Sequence, residues 1–281
     1  MTAAGRPGIG WWLLILPALL LLLAFYIAPI VQVLAISVTE PEPGLGNYER
    51  IFTSESVQRV ILTTLRICLI TTVLALLLGY AIAYAVTLAT PRARGWWILA
   101  VLVPLWISVL VRAFAWVTLL RRQGLVNNTL INAGAITEPL PLVWNEFGII
   151  VGMVHYMVPF AVLPMMASMR EIDPRLLAAA RGLGASRGEV FRRVFFPLSM
   201  PGVIAAAVLV FIFSLGFYIT PAILGGGKTL MVAEWISLQI LDLIRWGLGT
   251  MMATMLVLTI IATLAVFSRL VDLRRIFGSG A

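Results

Sequence analysis

Six stretches of the 281-residue chain contain no Asp, Glu, Lys or Arg: residues 7–39, 67–91, 95–111, 147–169, 194–227 and 246–268. A helix rises about 1.5 Å per residue, so roughly 20 apolar residues cross the hydrocarbon core of a bilayer. Trimmed of their polar ends, the stretches predict membrane-spanning helices near residues 11–36, 60–88, 96–120, 147–169, 202–221 and 249–270. The third encloses one charge, Arg112. The first follows Arg6 as the core of a secretory signal would, but a signal core is only about 7–15 apolar residues. This run is much longer, and an uncleaved first helix is expected. Residues 1–281 read as a single all-α transmembrane domain of about six spans, with no repeat and no separate soluble domain.

Composition agrees with that pattern. Hydrophobic residues make up 61% of the chain and charged residues 11%, whereas a soluble domain carries about 25% charged residues. The net charge of +8 is spread along the chain and reads as a topology signal rather than a nucleic-acid surface. With the N-terminus inside, twelve Lys and Arg fall on inner segments and seven on outer ones, which satisfies the positive-inside rule. The inner set is Arg6, Arg92, Arg94, Arg170, Arg175, Arg181, Arg187, Arg192, Arg193, Arg269, Arg274 and Arg275. Both termini are then cytoplasmic. The pairs Trp11–Trp12 and Trp96–Trp97 come at inner helix ends, where indole rings favour the interface. One cysteine, Cys68, and one histidine, His155, make neither an intrachain disulfide nor a metal site.

The segment between the fourth and fifth predicted spans, residues 171–200, differs from every other connection. Asp173 suits a helix N-cap and Pro174 the first helical position. Leu176 to Arg181 are strong helix formers. Gly184 stands where a helix ends with positive φ. Ser186 and Glu189 have the spacing of a capping box, and Pro197 and Pro201 are expected to stop the second helix before the next span. The product is a two-helix loop on the inner side, with small residues at Ala178, Ala179, Ala180 and Ala185 and basic flanks. It serves either as a docking ledge for a cytoplasmic partner or as a solvated loop whose arginines set topology.

The spacing separates these readings by resemblance. Ala178-Ala179-Ala180, Arg181, Gly184 three residues after the alanines, then nine residues to Val194-Phe195-Phe196-Pro197 resembles the cytoplasmic coupling loop of permease subunits of bacterial ABC importers. Two positions depart from that pattern: Ala178 stands where the family has Glu, and Phe196 where it has Leu. Residues 103–127 are similar to the third-span region of spermidine/putrescine-type permeases. The resemblance implies the type I importer fold, with a second and different permease subunit and two copies of a cytoplasmic ABC ATPase gripping the coupling loops. It also implies an extracytoplasmic substrate-binding protein, a bacterial inner-membrane location and a polyamine solute. ATP and Mg would then be bound by the ATPase, and this chain would carry no cofactor, no metal and no catalytic residue.

Several residues invite other readings. Ala222 to Thr229 has the letter pattern of a phosphate-binding loop, but that loop needs a strand before it and a helix after it. Here a flexible glycine turn is expected. Arg112 would lie about 24 Å along a straight helix from Trp96, lining the pathway, pairing with an outer acid, or packing structurally. Trp116, Tyr80 and Tyr84 are candidates for pathway or structural positions, and Pro159 and Pro164 predict a kink in the fourth span. A stand-alone ion-coupled carrier is the alternative function, but such proteins place acids at the membrane midplane, and none of the predicted spans contains one.

Overall fold

The structure, a computed structural model, describes the backbone of residues 9–270 and the side chains of residues 14–269. Arg6, Asp272, Arg274, Arg275 and the side chains of Trp11 and Trp12 lie outside them. In chain order the helices are α1 (Leu14–Thr39), α2 (Gly46–Thr53), α3 (Glu55–Leu88), α4 (Pro91–Trp106), α5 (Val109–Leu120) and α6 (Leu125–Asn132). They continue with α7 (Glu146–Arg170), α8 (Pro174–Gly182), α9 (Arg187–Leu215), α10 (Ile219–Leu224), α11 (Val232–Ser237) and α12 (Trp246–Leu270). No strand occurs among the described residues. Helices α1, α3, α7, α9 and α12 are each long and apolar enough to cross a membrane. An all-helical path follows from the solvent, since hydrocarbon offers no partner to an open backbone amide or carbonyl.

The third predicted span is not one rod. It breaks after α4, and the helical stretch Val109–Asn132 leaves at 97°. Pro104 lacks an amide hydrogen and crowds the carbonyl one turn earlier. The helix ends at Trp106, the Ile107 amide turns back to the Pro104 carbonyl at 3.3 Å, and Ile107 and Ser108 are extended with ψ of 131° and 136°. A sixth span exists only if the bent pair is taken together. The distance of about 24 Å inferred for Arg112 along a straight helix therefore does not apply.

The fifth span also departs from expectation. Pro197 and Pro201 do not stop the second loop helix. α9 runs from Arg187 to Leu215 through a wide π turn at Phe191–Phe195. The Phe196 amide reaches back five residues to the Phe191 carbonyl, so the missing amide of Pro197 falls at the start of the next turn. The span then closes at Leu215 rather than 221, with Gly216 as its cap. α7 runs unbroken through Pro159 and Pro164.

The chain forms two compact units. The smaller comprises residues up to 55 and residues 236–257. Within it buried Asn47 donates to the carbonyls of Ser37 at 3.1 Å and Glu40 at 2.7 Å, and the Ser37 and Tyr48 hydroxyls bond at 2.8 Å. The larger unit, residues 56–235 and 258 onward, has its core where α3, α7 and α9 pack together. Ala75, Ala83, Val86, Met157, Ala161, Met165, Ala206 and Val210 are fully buried there. A Cβ on Gly79 would lie 2.7 Å from the Ala161 Cβ. A Cβ on Gly202 would lie 2.8 Å from the Pro164 carbonyl oxygen and 3.0 Å from the Met165 Cα. Small residues at such points let helix backbones approach closely in lipid, where packing replaces the hydrophobic effect as the force between helices. The turn between α3 and α4 is tied by Arg94, whose guanidinium donates to the carbonyls of Val86, Thr87 and Ala89 at 3.2–3.3 Å. A residue read as a topology charge thus also caps the end of α3, where a cation suits the dipole.

Gly202→Leu should lower the thermal midpoint of the detergent-solubilised protein by the equivalent of about 1–3 kcal/mol, the usual cost of overpacking. Gly95→Ala, on α4 with no atom within 4 Å of the added carbon, should leave it unchanged or slightly raised. Equal midpoints for Gly202→Leu and the parent would overturn the close approach of α7 and α9.

Candidate coupling site

The 171–200 segment has the local structure its residues dictate. The Asp173 carboxylate accepts from the Arg175 amide at 2.8 Å, with Pro174 opening α8. Gly184 has φ of +90°, and the Gly184 and Ala185 amides return to the Arg181 and Ala180 carbonyls at 2.9 and 3.2 Å. Ser186 and Glu189 complete a reciprocal capping box. The Ser186 amide and hydroxyl donate to the Glu189 carboxylate at 3.0 and 2.9 Å, and the Glu189 amide donates to the Ser186 hydroxyl at 3.4 Å.

One side of this segment is anchored and the other is free. Ile172, Leu177 and Phe191 pack on the core, and Val190 and Phe195 are buried. Tyr80 and Tyr84 of α3 form an aromatic clasp with the start of α9. Tyr84 meets Phe191 edge-on at 5.3 Å and Phe195 at 5.1 Å, and Tyr80 meets Phe196 at 5.7 Å. The Tyr80 hydroxyl bonds that of Ser199 at 2.9 Å. On the free side Ala178, Ala179, Arg181 and Gly184 are exposed, as is Pro197, while Ala180, Ala185 and Val194 are half-buried. Leu183, at the tip between the helices, is 91% exposed. A large aliphatic side chain held out by a well-capped turn, beside exposed Arg175, Arg181 and Arg187, is a surface suited to a protein partner.

A second cluster lies at the break in the third span. Arg112 on α5 is only 8% exposed, and its guanidinium sits 4.4 Å from the ring centre of Tyr156 on α7. Its Nε and Nη1 have no hydrogen-bond acceptor. The Trp116 indole donates to His155 Nδ1 at 3.1 Å. α10 closes this cluster from the side, with Thr220 and Leu224 seated so near Gly152 that a Cβ there would lie 2.7 and 2.4 Å from them. An outer-loop acid, one of the readings open for Arg112, is not among these neighbours, and the face of Tyr156 lies against it. No spacing in the sequence signals this contact, because it joins residues from helices that meet only through the bend. The glycine pattern at residues 222–229 follows α10 rather than a strand. Gly226 and Gly227 have φ of +59° and +71°, and Gly226 lies against the Trp144 ring. That is a packed glycine turn.

Over residues 7–276 the chain matches the family described as binding-protein-dependent transport system inner membrane component. The chain belongs to this family. It is 32% identical over 254 residues, 88% of each chain, to the spermidine/putrescine transport system permease protein PotB of Haemophilus influenzae. It is 33% identical over 217 residues to PotB of Escherichia coli, covering 77% of this chain and 78% of that one. Its fold is similar to that of a bacterial alginate ABC transporter solved with its pentasaccharide-bound periplasmic protein, with a TM-score of 0.77, 19% identity and 96% of each chain covered. The protein is therefore a multi-pass inner-membrane permease subunit of an ABC importer, with the all-α importer fold. Membership implies a substrate-binding protein and partner subunits.

The clasp between α3 and α9 is testable in this permease. In a double-mutant cycle of Tyr84→Ala and Phe191→Ala, thermal unfolding should show a coupling of about 0.5–1.5 kcal/mol, the range for an edge-on aromatic pair. Strict additivity would mean the rings contribute only their separate burial.

Proposed function

We propose that this permease imports a polyamine of the spermidine or putrescine kind by ATP-driven alternating access. The 171–200 segment is then its coupling site to a cytoplasmic ABC ATPase. The observation that carries the coupling role is the two-sided build of the segment. Its inner side is fastened to α3, α7 and α9, so force applied to the exposed side around Leu183 and Arg181 reaches the spans without slack. Ala178, Ala179, Ala180, Gly184, Ala185, Val194 and Pro197 supply the small, turn-forming frame of that surface. In this scheme ATP and Mg are held by two ATPase copies. The pore is shared with a second, different permease, solute arrives from an extracytoplasmic binding protein, and both termini of this chain are cytoplasmic. ATP closure would draw the coupling segments together and open the spans outward; hydrolysis would reverse it. The polyamine class is supported by the names of the PotB relatives. Tyr80 and Tyr84 are assigned to transmission rather than to solute contact, from their place against the coupling segment.

Leu183→Asp changes an exposed tip and should leave the thermal midpoint of the permease within about 1 °C, since surface changes are near-neutral. It should nonetheless abolish co-purification of the ATPase and reduce uptake at least about tenfold, the rate expected when about 1.4 kcal/mol of coupling is removed. Retained ATPase association in Leu183→Asp would move the docking surface elsewhere. Radiolabelled spermidine and putrescine uptake, dependent on ATP and insensitive to collapse of the proton gradient, tests the solute and the energy source together. Uptake that follows the ion gradient without ATP would return the protein to the stand-alone carrier class.

A further inference from the structure

The structure assigns an anion-binding role to the pocket at Arg112: it takes one carboxylate oxygen, inside the larger unit. The argument starts from an unbalanced charge. Arg112 is more than nine-tenths buried, and two of its donor nitrogens find no acceptor. The group beneath it is the face of Tyr156 at 4.4 Å. A desolvated cation–π contact offsets only part of the cost of burying an ion, so the ring alone does not balance the guanidinium.

Everything else around the pocket is also a donor or neutral. Arg112 lies one turn into α5, its amide bonded to the Ser108 carbonyl at 3.1 Å, and the amides of Val109, Leu110 and Val111 before it have no helical carbonyl because the chain broke at Ile107 and Ser108. That end of the helix carries positive potential. His155 accepts the Trp116 indole proton on Nδ1, so a neutral imidazole carries its own proton on Nε2 and is a further donor. No acidic side chain lines the pocket, which is bounded by Val109, Ala113, Gly152 and Thr220 beside these residues. A broken helix whose N-terminus and arginine converge is a recurring way to hold an anion within a membrane.

Size limits the ligand. The void is about 10 Å³, which is room for one water-sized group and not for the body of a solute. Trp116 and His155 also line an adjoining open cleft of about 950 Å³ whose other walls are apolar. A carboxylate therefore enters as the tip of something seated in that cleft. It comes from an acidic side chain of the second permease subunit, because the polyamine proposed as the solute carries no carboxylate. A water would fill the void but would not offset the charge.

The test uses the assembled transporter, with both permeases, the ATPase and the binding protein, in lipid. Wild-type assembly and uptake are the control, so a failure of the importer reading appears there first. Arg112→Met keeps length and removes charge; Arg112→Lys keeps charge. An anion site predicts at least tenfold lower uptake in Arg112→Met and at least one third of wild-type uptake in Arg112→Lys. If the second permease no longer co-purifies with Arg112→Met but does with Arg112→Lys, that subunit supplies the carboxylate. If the Met variant assembles with the second permease as the wild type does, no partner carboxylate sits on Arg112 and the assignment is overturned. Full uptake in Arg112→Met, or equal loss in Met and Lys, would overturn the assignment. The second result would leave only the shape of the guanidinium against Tyr156.

Discussion

The close approach of α7 and α9 at Gly202 is the contact on which the rest of the larger unit depends. In lipid there is no gain from hiding apolar surface, so helices associate where backbones come near enough for dense packing. At Gly202 the neighbours are the backbone atoms of Pro164 and Met165, and at Gly79 the neighbour is Ala161. These points bring α3 and α9 both against α7. Residues that would otherwise be unremarkable, such as Met157 and Met165, then become fully buried. Methionine fits this setting because its flexible chain fills the irregular space left between rods.

That packing decides how the coupling segment behaves. α9 begins outside the core, at Arg187, and continues without a stop into the span. The π turn at Phe191–Phe195 absorbs the proline at 197 and points Phe191 and Phe195 toward Tyr84. A segment that is part of a span and is clamped to a second span moves with both. The proposed transmission of force therefore needs no separate hinge inside the segment. The exposed tip at Leu183 is rigid for local reasons, a cap on each helix and a glycine with positive φ between them.

The second polar feature follows from the break after Trp106. Had α4 continued, Arg112 would have lain farther along a straight rod. The 97° bend instead turns α5 against α7 and α10 and buries the guanidinium on Tyr156. Placing a charge there is costly in a membrane, and the cost is offset only if something of opposite sign joins it. The same bend gives the pocket its helix terminus and its adjoining cleft, so one break in the chain determines both the charge placement and its surroundings.

Much of this was legible along the chain. The charge-free stretches specified an all-helical membrane protein, because twenty apolar residues have no other stable use and hydrocarbon forbids an open backbone. The local structure of residues 171–200 was equally readable: Asp173, Pro174, Gly184, Ser186 and Glu189 act on neighbours within four residues, and capping chemistry is local. What the chain could not reveal depended on distant residues meeting. α4 ended at Trp106, two residues past Pro104, while α7 and α9 ran on through Pro159, Pro164 and Pro201, and nothing in the letters distinguishes these prolines. Tyr80 and Tyr84 stayed open between pathway and structural positions along the chain, and only the fold places α9 beside them. Arg112 was visible as a lone charge, but its tyrosine partner and missing acid were decided by tertiary structure, because contact across three helices has no spacing in sequence.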